Sequence, residues 1–136
     1  MKLLTKHSDY AIRAILLLAL NKQKPMSTRE ISNKEKIPYE FLRKILYTLL
    51  EKKFIDSKEG AGGGFTLKIF PKKIKITDII TVFQKDINML GCLFEKKICP
   101  GGAKCVLRKN LQRIESILIK ELNKITIESL LNEMGK

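Results

Sequence analysis

The sequence predicts a mainly α fold with a small β-hairpin, and three observations carry that reading. Residues 27–50 read as two short helices around a tight turn, opened by Ser27-x-x-Glu30, a capping-box pattern. Directly after them, two strand-like segments flank the run Glu59-Gly60-Ala61-Gly62-Gly63-Gly64. Further on, Leu107, Leu111, Ile114, Leu118, Leu122 and Ile125 recur every 3 or 4 residues, the period of one long helix with a single apolar stripe. A helix-turn-helix followed at once by a hairpin is a winged helix-turn-helix, and the stripe makes the later element a long dimerisation helix.

Each element follows from its residues. Ser8 is the expected cap of a first helix whose apolar positions Ala11, Ala14, Ile15 and Leu18 share one face. Ile12, Leu16, Leu17 and Leu20 fill much of the remainder, so that helix should be buried on more than one side. Ser27 opens a second helix through about Glu35. Pro38 stands where the first turn of a third helix tolerates it, because its missing N–H would be unpaired there anyway. Leu42, Ile45, Leu46, Leu49 and Leu50 keep helical spacing, while Glu40, Arg43, Lys44 and Thr48 lie off that face. The segments 54–58 and 65–69 form the hairpin, closed by Pro71. Its glycines let the loop pass close to another surface. The same loop lacks the lysine and serine of a nucleotide-binding strand–loop–helix motif. Thr77 is the expected cap of a short helix through about Phe83, and Thr126 of a last one carrying Ile127, Leu130 and Leu131. The expected organisation is a DNA-binding domain over 1–84, a cysteine-bearing loop over 85–105, and dimerisation and C-terminal helices over 106–136.

Composition narrows the function. The chain has 136 residues and a formal net charge of +13. Residues 1–75 hold 17 basic against 7 acidic side chains, and residues 76–136 hold 10 against 7. A basic front half points to a polyanion such as double-stranded DNA, with something else behind it. The longest apolar run, Ala14 to Leu20, is far short of the roughly 20 residues of a membrane span, and no signal-peptide pattern is present. A soluble, cytoplasmic protein without membrane contact is expected. One histidine, no nucleophile–base set and no paired carboxylates argue against an enzyme with a small-molecule substrate.

The three cysteines, Cys92, Cys99 and Cys105, fall within 14 residues of one another. An odd number argues against a disulfide framework. Their neighbours Gly91, Lys96, Lys97, Pro100, Gly101, Gly102 and Lys104 are those of a loop, and nearby cations favour thiolates. The close-set cysteine pairs usual in structural zinc sites are absent. Loop-borne, longer spacings suit an iron–sulfur cluster, ahead of a zinc site or plain redox thiols. Three thiolates leave a four-ligand cluster one short; His7 and Asp9 are the candidates outside the loop, although either residue type is common at a helix start.

These residues carry a family likeness. The run Leu4-Thr5-Lys6-His7-Ser8-Asp9-Tyr10-Ala11-Ile12-Arg13-Ala14 resembles the opening helix of the iron–sulfur winged-helix regulators typified by IscR and NsrR, the Rrf2 family. Ser27 to Ser32, Ile37 to Leu46, Gly60 to Phe65, Ile76-Thr77-Asp78-Ile79, the three cysteines and Ile125-Thr126 resemble it in the same order. The resemblance implies a homodimeric bacterial transcription factor whose cluster controls DNA affinity. In IscR-like members a histidine three residues after the last cysteine completes the site, and here that place is Arg108. In NsrR-like members an aspartate of the partner's first helix does so, and Asp9 matches it. The likeness therefore implies a 4Fe–4S cluster on Cys92, Cys99 and Cys105 of one subunit and Asp9 of the other, with 2Fe–2S as the alternative. A carboxylate is a weak ligand for iron and leaves a displaceable corner for nitric oxide or oxygen.

For DNA, Tyr39, Glu40, Arg43 and Lys44 are expected on the reading surface, with Arg43 able to hold a guanine and Glu40 to accept from a cytosine. Ser27, Thr28 and Arg29 are expected at phosphates, and the wing at Lys58, Gly62 and Gly63. Many members place arginine just before the wing glycines. Here that residue is Glu59, which phosphates repel, and Lys58 is the neighbouring cation. The expected function is a cluster-controlled repressor sensing nitric oxide, redox or cluster status. The competing readings are an iron–sulfur electron-transfer or cluster-delivery protein, and a cluster-free thiol-sensing DNA-binding regulator.

Overall fold

In a computed structural model that describes residues 4–84 and 106–135, the first helix, α1 (Lys6–Leu20), is the one around which the others pack. It starts ahead of the expected cap. Thr5 is extended, and its Oγ1 accepts the Ser8 N–H at 3.2 Å. Ser8 is fully buried instead, and its hydroxyl donates to Gln84 Oε1 at 2.8 Å, a partner far along the chain. Ala11, Ala14, Ile15, Leu18 and Ala19 are buried along α1, as the double-sided apolar pattern requires, whereas Leu20 is exposed.

Helix α2 (Thr28–Glu35) carries the capping box in full: Ser27 Oγ accepts the Glu30 N–H at 3.1 Å, and Glu30 Oε1 accepts the Ser27 N–H at 3.4 Å. It ends on Lys36 in the left-handed region (φ 54°), after which the Ile37 N–H returns to the Ser32 carbonyl at 3.1 Å. That tight reversal is the turn of the helix-turn-helix. Pro38 then caps α3 (Tyr39–Glu51), which buries Leu42, Ile45, Leu46 and Leu49. Burying such a side chain stabilises by roughly 1.5–3 kcal/mol, so four of them hold α3 against α1 and α2 firmly.

Strands β1 (Ile55–Lys58) and β2 (Gly64–Leu67) pair antiparallel from Ile55 opposite Leu67 to Lys58 opposite Gly64. The hairpin is not free at its side. Met26, one residue before the α2 cap, exchanges both backbone hydrogen bonds with Phe65, at 3.0 and 2.8 Å. Gly64 makes this approach feasible: its φ is +150°, and a Cβ there would stand 2.5 Å from the Met26 carbonyl oxygen.

A single 3₁₀ turn (Pro71–Lys73) leads into α4 (Ile76–Gln84). Thr77 is not its cap. It lies within the first turn, 8% exposed, and its hydroxyl donates to Asn123 Oδ1 at 2.5 Å. The expected cysteine loop lies outside the described residues. Helix α5 (Val106–Asn123) carries the predicted stripe, except that Ile125 falls beyond its end. Helix α6 (Ile127–Met134) is capped by Thr126 and Ser129 in a second capping box. The segment before α6 closes the core: the Ile76 N–H bonds the Ile125 carbonyl and the Ile127 N–H bonds the Ile74 carbonyl, each at 2.9 Å. Ile74, Ile79, Ile80 and Ile127 are fully buried in one cluster with the α1 and α3 residues. Among the described residues no helix is long and apolar enough to cross a membrane, and no buried side-chain nitrogen or oxygen lacks a hydrogen-bond partner.

Candidate nucleic-acid interface and ligand residues

The exposed side of α3 is what remains after its apolar face is buried. Tyr39, Glu40, Arg43 and Lys44 are all exposed there, as the spacing predicts. Two contacts organise them. Arg43 Nε lies 3.4 Å from Glu40 Oε2, with the two side chains 64% and 73% exposed. Such a surface pair contributes about 0.2–1 kcal/mol and is readily exchanged for another partner. The Arg29 guanidinium lies 5.3 Å from the Tyr39 ring centre, so the starts of α2 and α3 present one joined cationic–aromatic corner. Tyr47, 64% exposed, and Thr48 complete a depression with Arg43 and Lys44. Tyr47 was not singled out from the sequence. Its position four residues after Arg43 was the available signal, since such pairs are neighbours on one helix face.

At the start of α2 the picture is more divided. Ser27 spends its hydroxyl on the capping box, accepting from Glu30 N–H and donating to Glu30 Oε1 at 3.3 Å. The Glu30 carboxylate therefore sits where an anion would meet the helix N-terminus. Thr28 is half-buried, and Arg29, the one cation of the three residues, is exposed. In the wing, Lys58 and Glu59 are exposed at the end of β1, and Gly62 is exposed with φ +75°. The Gly63 N–H bonds the Gly60 carbonyl at 3.0 Å, and a Cβ on Gly63 would collide with the Lys58 carbonyl oxygen. The turn therefore requires glycine at Gly63 for want of space and favours it at Gly62 for its positive φ.

Of the predicted ligand set, only Asp9 falls among the described residues; Cys92, Cys99 and Cys105 lie outside them. Among the described residues no three His, Cys, Asp or Glu side chains come together as a metal site. Asp9 lies in the first turn of α1, its side chain 47% exposed. Its Oδ2 accepts from Arg13 Nη2 at 3.0 Å and Nε at 3.3 Å. Arg13 reaches further, its Nη1 donating to the Glu35 carbonyl at 3.1 Å, at the end of α2. The start of α1 is also stitched to the end of α4, because Gln84 Oε1 accepts from both the Thr5 N–H and the Ser8 hydroxyl. Gln84 is the residue after which the sequence runs towards Cys92.

Comparison with known proteins agrees with this architecture. NsrR of Bacillus subtilis, an HTH-type transcriptional regulator, is 26% identical over 129 residues, covering 93% of this chain and 88% of that protein. IscR of Escherichia coli, likewise an HTH-type transcriptional regulator, is 28% identical over 130 residues, covering 95% and 80%. The solved structure of CymR, the global cysteine regulator of B. subtilis, superimposes with a TM-score of 0.81 at 22% identity, covering 98% of each chain. That likeness is one of fold, a winged helix. Residues 4–133 match the Rrf2 family, described as iron-dependent transcriptional regulators. With that match spanning nearly its whole length, the chain belongs to the Rrf2 family of transcriptional regulators.

Proposed function

We propose that this regulator is a homodimeric repressor whose affinity for a double-stranded operator is set by an iron–sulfur cluster. The observation that carries the DNA half is the exposed row on α3, held rigidly beside a wing that is hydrogen-bonded to the entry of α2. In this reading Arg43 leaves Glu40 for a guanine edge, and Glu40 accepts from a neighbouring cytosine, each contact discriminating by about 1–3 kcal/mol. Tyr39, Lys44 and Tyr47 flank them. Arg29, Thr28, Ser27 and Lys58 meet the DNA backbone, as does the wing at Gly62 and Gly63, where Gly63 contributes close approach since its N–H is bonded to the Gly60 carbonyl.

The sensing half rests on Asp9 and the cysteines. A carboxylate in the first turn of α1, with three thiolates following in sequence, is a chemically fitting donor set for a 4Fe–4S cluster, with Asp9 given by the partner subunit. When bound, such a cluster supplies a redox- and nitric-oxide-sensitive centre. The chain's own contribution is the hydrogen-bonding of Asp9. Arg13 either holds that carboxylate or releases it, and the same guanidinium is bonded to the last carbonyl of α2. A change at Asp9 is thereby felt at the helix-turn-helix, and half-sites one helical turn apart amplify a small tilt in a dimer.

A second reading is favoured by the shared fold with the cysteine regulator: the same three cysteines act as thiols without a cluster. Native mass and ultraviolet–visible spectra of protein purified without oxygen separate the two. The expected result is a coloured dimer with 4Fe–4S mass that is lost in Asp9→Ala. A 2Fe–2S mass indifferent to Asp9 moves the fourth ligand elsewhere, and a colourless dimer that binds DNA in a thiol-dependent way replaces the cluster reading by the second.

A further inference from the structure

His7, the chain's one histidine, stands in the first turn of α1 beside two rings from other elements. Its ring centre is 4.6 Å from that of Phe41, tilted by 41°, and 6.3 Å from that of Phe83, at 26°. Tyr10, one turn further along, meets the same Phe41 edge-on at 5.4 Å and 88°. Phe41 belongs to the first turn of α3, between Glu40 and Arg43. Phe83 belongs to the last turn of α4, beside Gln84, which is itself bonded to Thr5 and Ser8. Both phenylalanines are only half-buried and His7 is exposed, so this ring cluster lies at the rim of the apolar core rather than inside it. At a rim, orientation matters more than area, because aromatic pairs favour particular offsets and tilts.

We propose that His7 is a positioning residue for the recognition helix: its ring, lying between Phe83 and Phe41, fixes the tilt of the first turn of α3 relative to the end of α4. A shift in the chain leaving α4 towards the cysteines then reaches Glu40 and Arg43 through two ring contacts. This linkage is separate from the Asp9–Arg13–Glu35 hydrogen bonds, and it does not depend on what the cysteines bind. Its consequence for DNA rests on the reading of α3 given above.

The test uses the full chain and compares wild type with His7→Ala and His7→Phe by amide hydrogen exchange and by duplex binding. In His7→Ala, the Leu42 N–H, whose 2.9 Å bond to the Pro38 carbonyl closes the first turn of α3, and the amides of the last turn of α4 should exchange together about tenfold faster, as loss of the ring pairs implies. The Lys52 N–H, bonded to the Thr48 carbonyl at 3.0 Å, reports the far end of α3 and should keep its wild-type rate. His7→Phe should restore both sites to within about twofold, because the ring and not the imidazole nitrogens does the positioning. Phe83→Leu, entering from the other side, should reproduce the alanine pattern. An unchanged first turn of α3, acceleration spread evenly along α3, or failure of phenylalanine to restore it overturns the proposal. For binding, the probe is a duplex selected by the wild-type chain from a random-sequence library; its affinity should fall about fivefold in His7→Ala and return in His7→Phe. If the wild-type chain selects no duplex, the DNA reading of α3 fails, while the exchange pattern still decides the role of His7.

Discussion

Helices α3 and α5 are both amphipathic, and they meet opposite fates. Helix α3 turns Leu42, Ile45, Leu46 and Leu49 into a core shared with α1, α2 and β1, so its polar side is held still and on display. Helix α5 has the longer stripe, yet among its described residues only Leu122 is buried. Val106, Leu107, Leu111, Ile114 and Ile117 are between 39% and 72% exposed. A run of exposed apolar side chains along one helix is the kind of surface that marks a contact site. The pattern in the sequence is the same for both helices. What differs is whether the described residues cover it: α3 is completed within the described chain, and the α5 stripe is left for the partner subunit proposed above.

The sharpest way to break this contrast is to charge the α5 stripe. Ile114→Glu should convert a dimer to monomers in sedimentation and reduce operator affinity by about 10²–10⁴-fold through loss of two-site binding. The monomer should keep its helical circular dichroism, since that side chain is half-exposed. If the dimer survives, the stripe serves another purpose and the comparison fails. The complementary change is Leu46→Ala, which empties a fully buried site under α3. It should destabilise by about 2–5 kcal/mol in denaturant unfolding while leaving the sedimentation of the folded fraction unchanged. Smallest in energy, Arg43→Ala should cost about 1–3 kcal/mol on the selected duplex and little on random DNA. Equal losses on both would demote Arg43 to a phosphate contact and make the polar side of α3 a generic cationic surface.

Local chemistry was legible in advance wherever the partners are close in sequence. The Ser27–Glu30 box, the Glu40–Arg43 neighbourhood and the apolar face of α3 follow from spacings of 3 and 4 residues. Ser8 shows where that reasoning stops. Its residue type fits a cap, but its hydroxyl is claimed by Gln84, and Thr5 takes the capping role. Thr77 failed in the same manner, drawn to Asn123. The Met26–Phe65 bridge was likewise hidden, because backbone pairing leaves no signature in side-chain pattern. Asp9 could be named from resemblance and its pairing with Arg13 from spacing, whereas the extension of Arg13 to the Glu35 carbonyl required the fold. Tyr47, one turn after Arg43, was not named from the sequence, although the same helical spacing that exposes Arg43 exposes it.

The hydrogen bonds between Ile74–Ile76 and Ile125–Ile127 also have a consequence in time. During synthesis at about 5–20 residues per second, residues 74–76 leave the ribosome several seconds before their partners exist. Until then Ile74 and Ile79 lack the cover that Ile127 provides, and the nascent winged domain presents an open apolar edge to whatever chaperone is at hand. A chain stopped before residue 125 would lack both hydrogen bonds and keep that edge open. Closure of this core thus waits on the synthesis of residues 125–127, about fifty residues behind the segment they pair with.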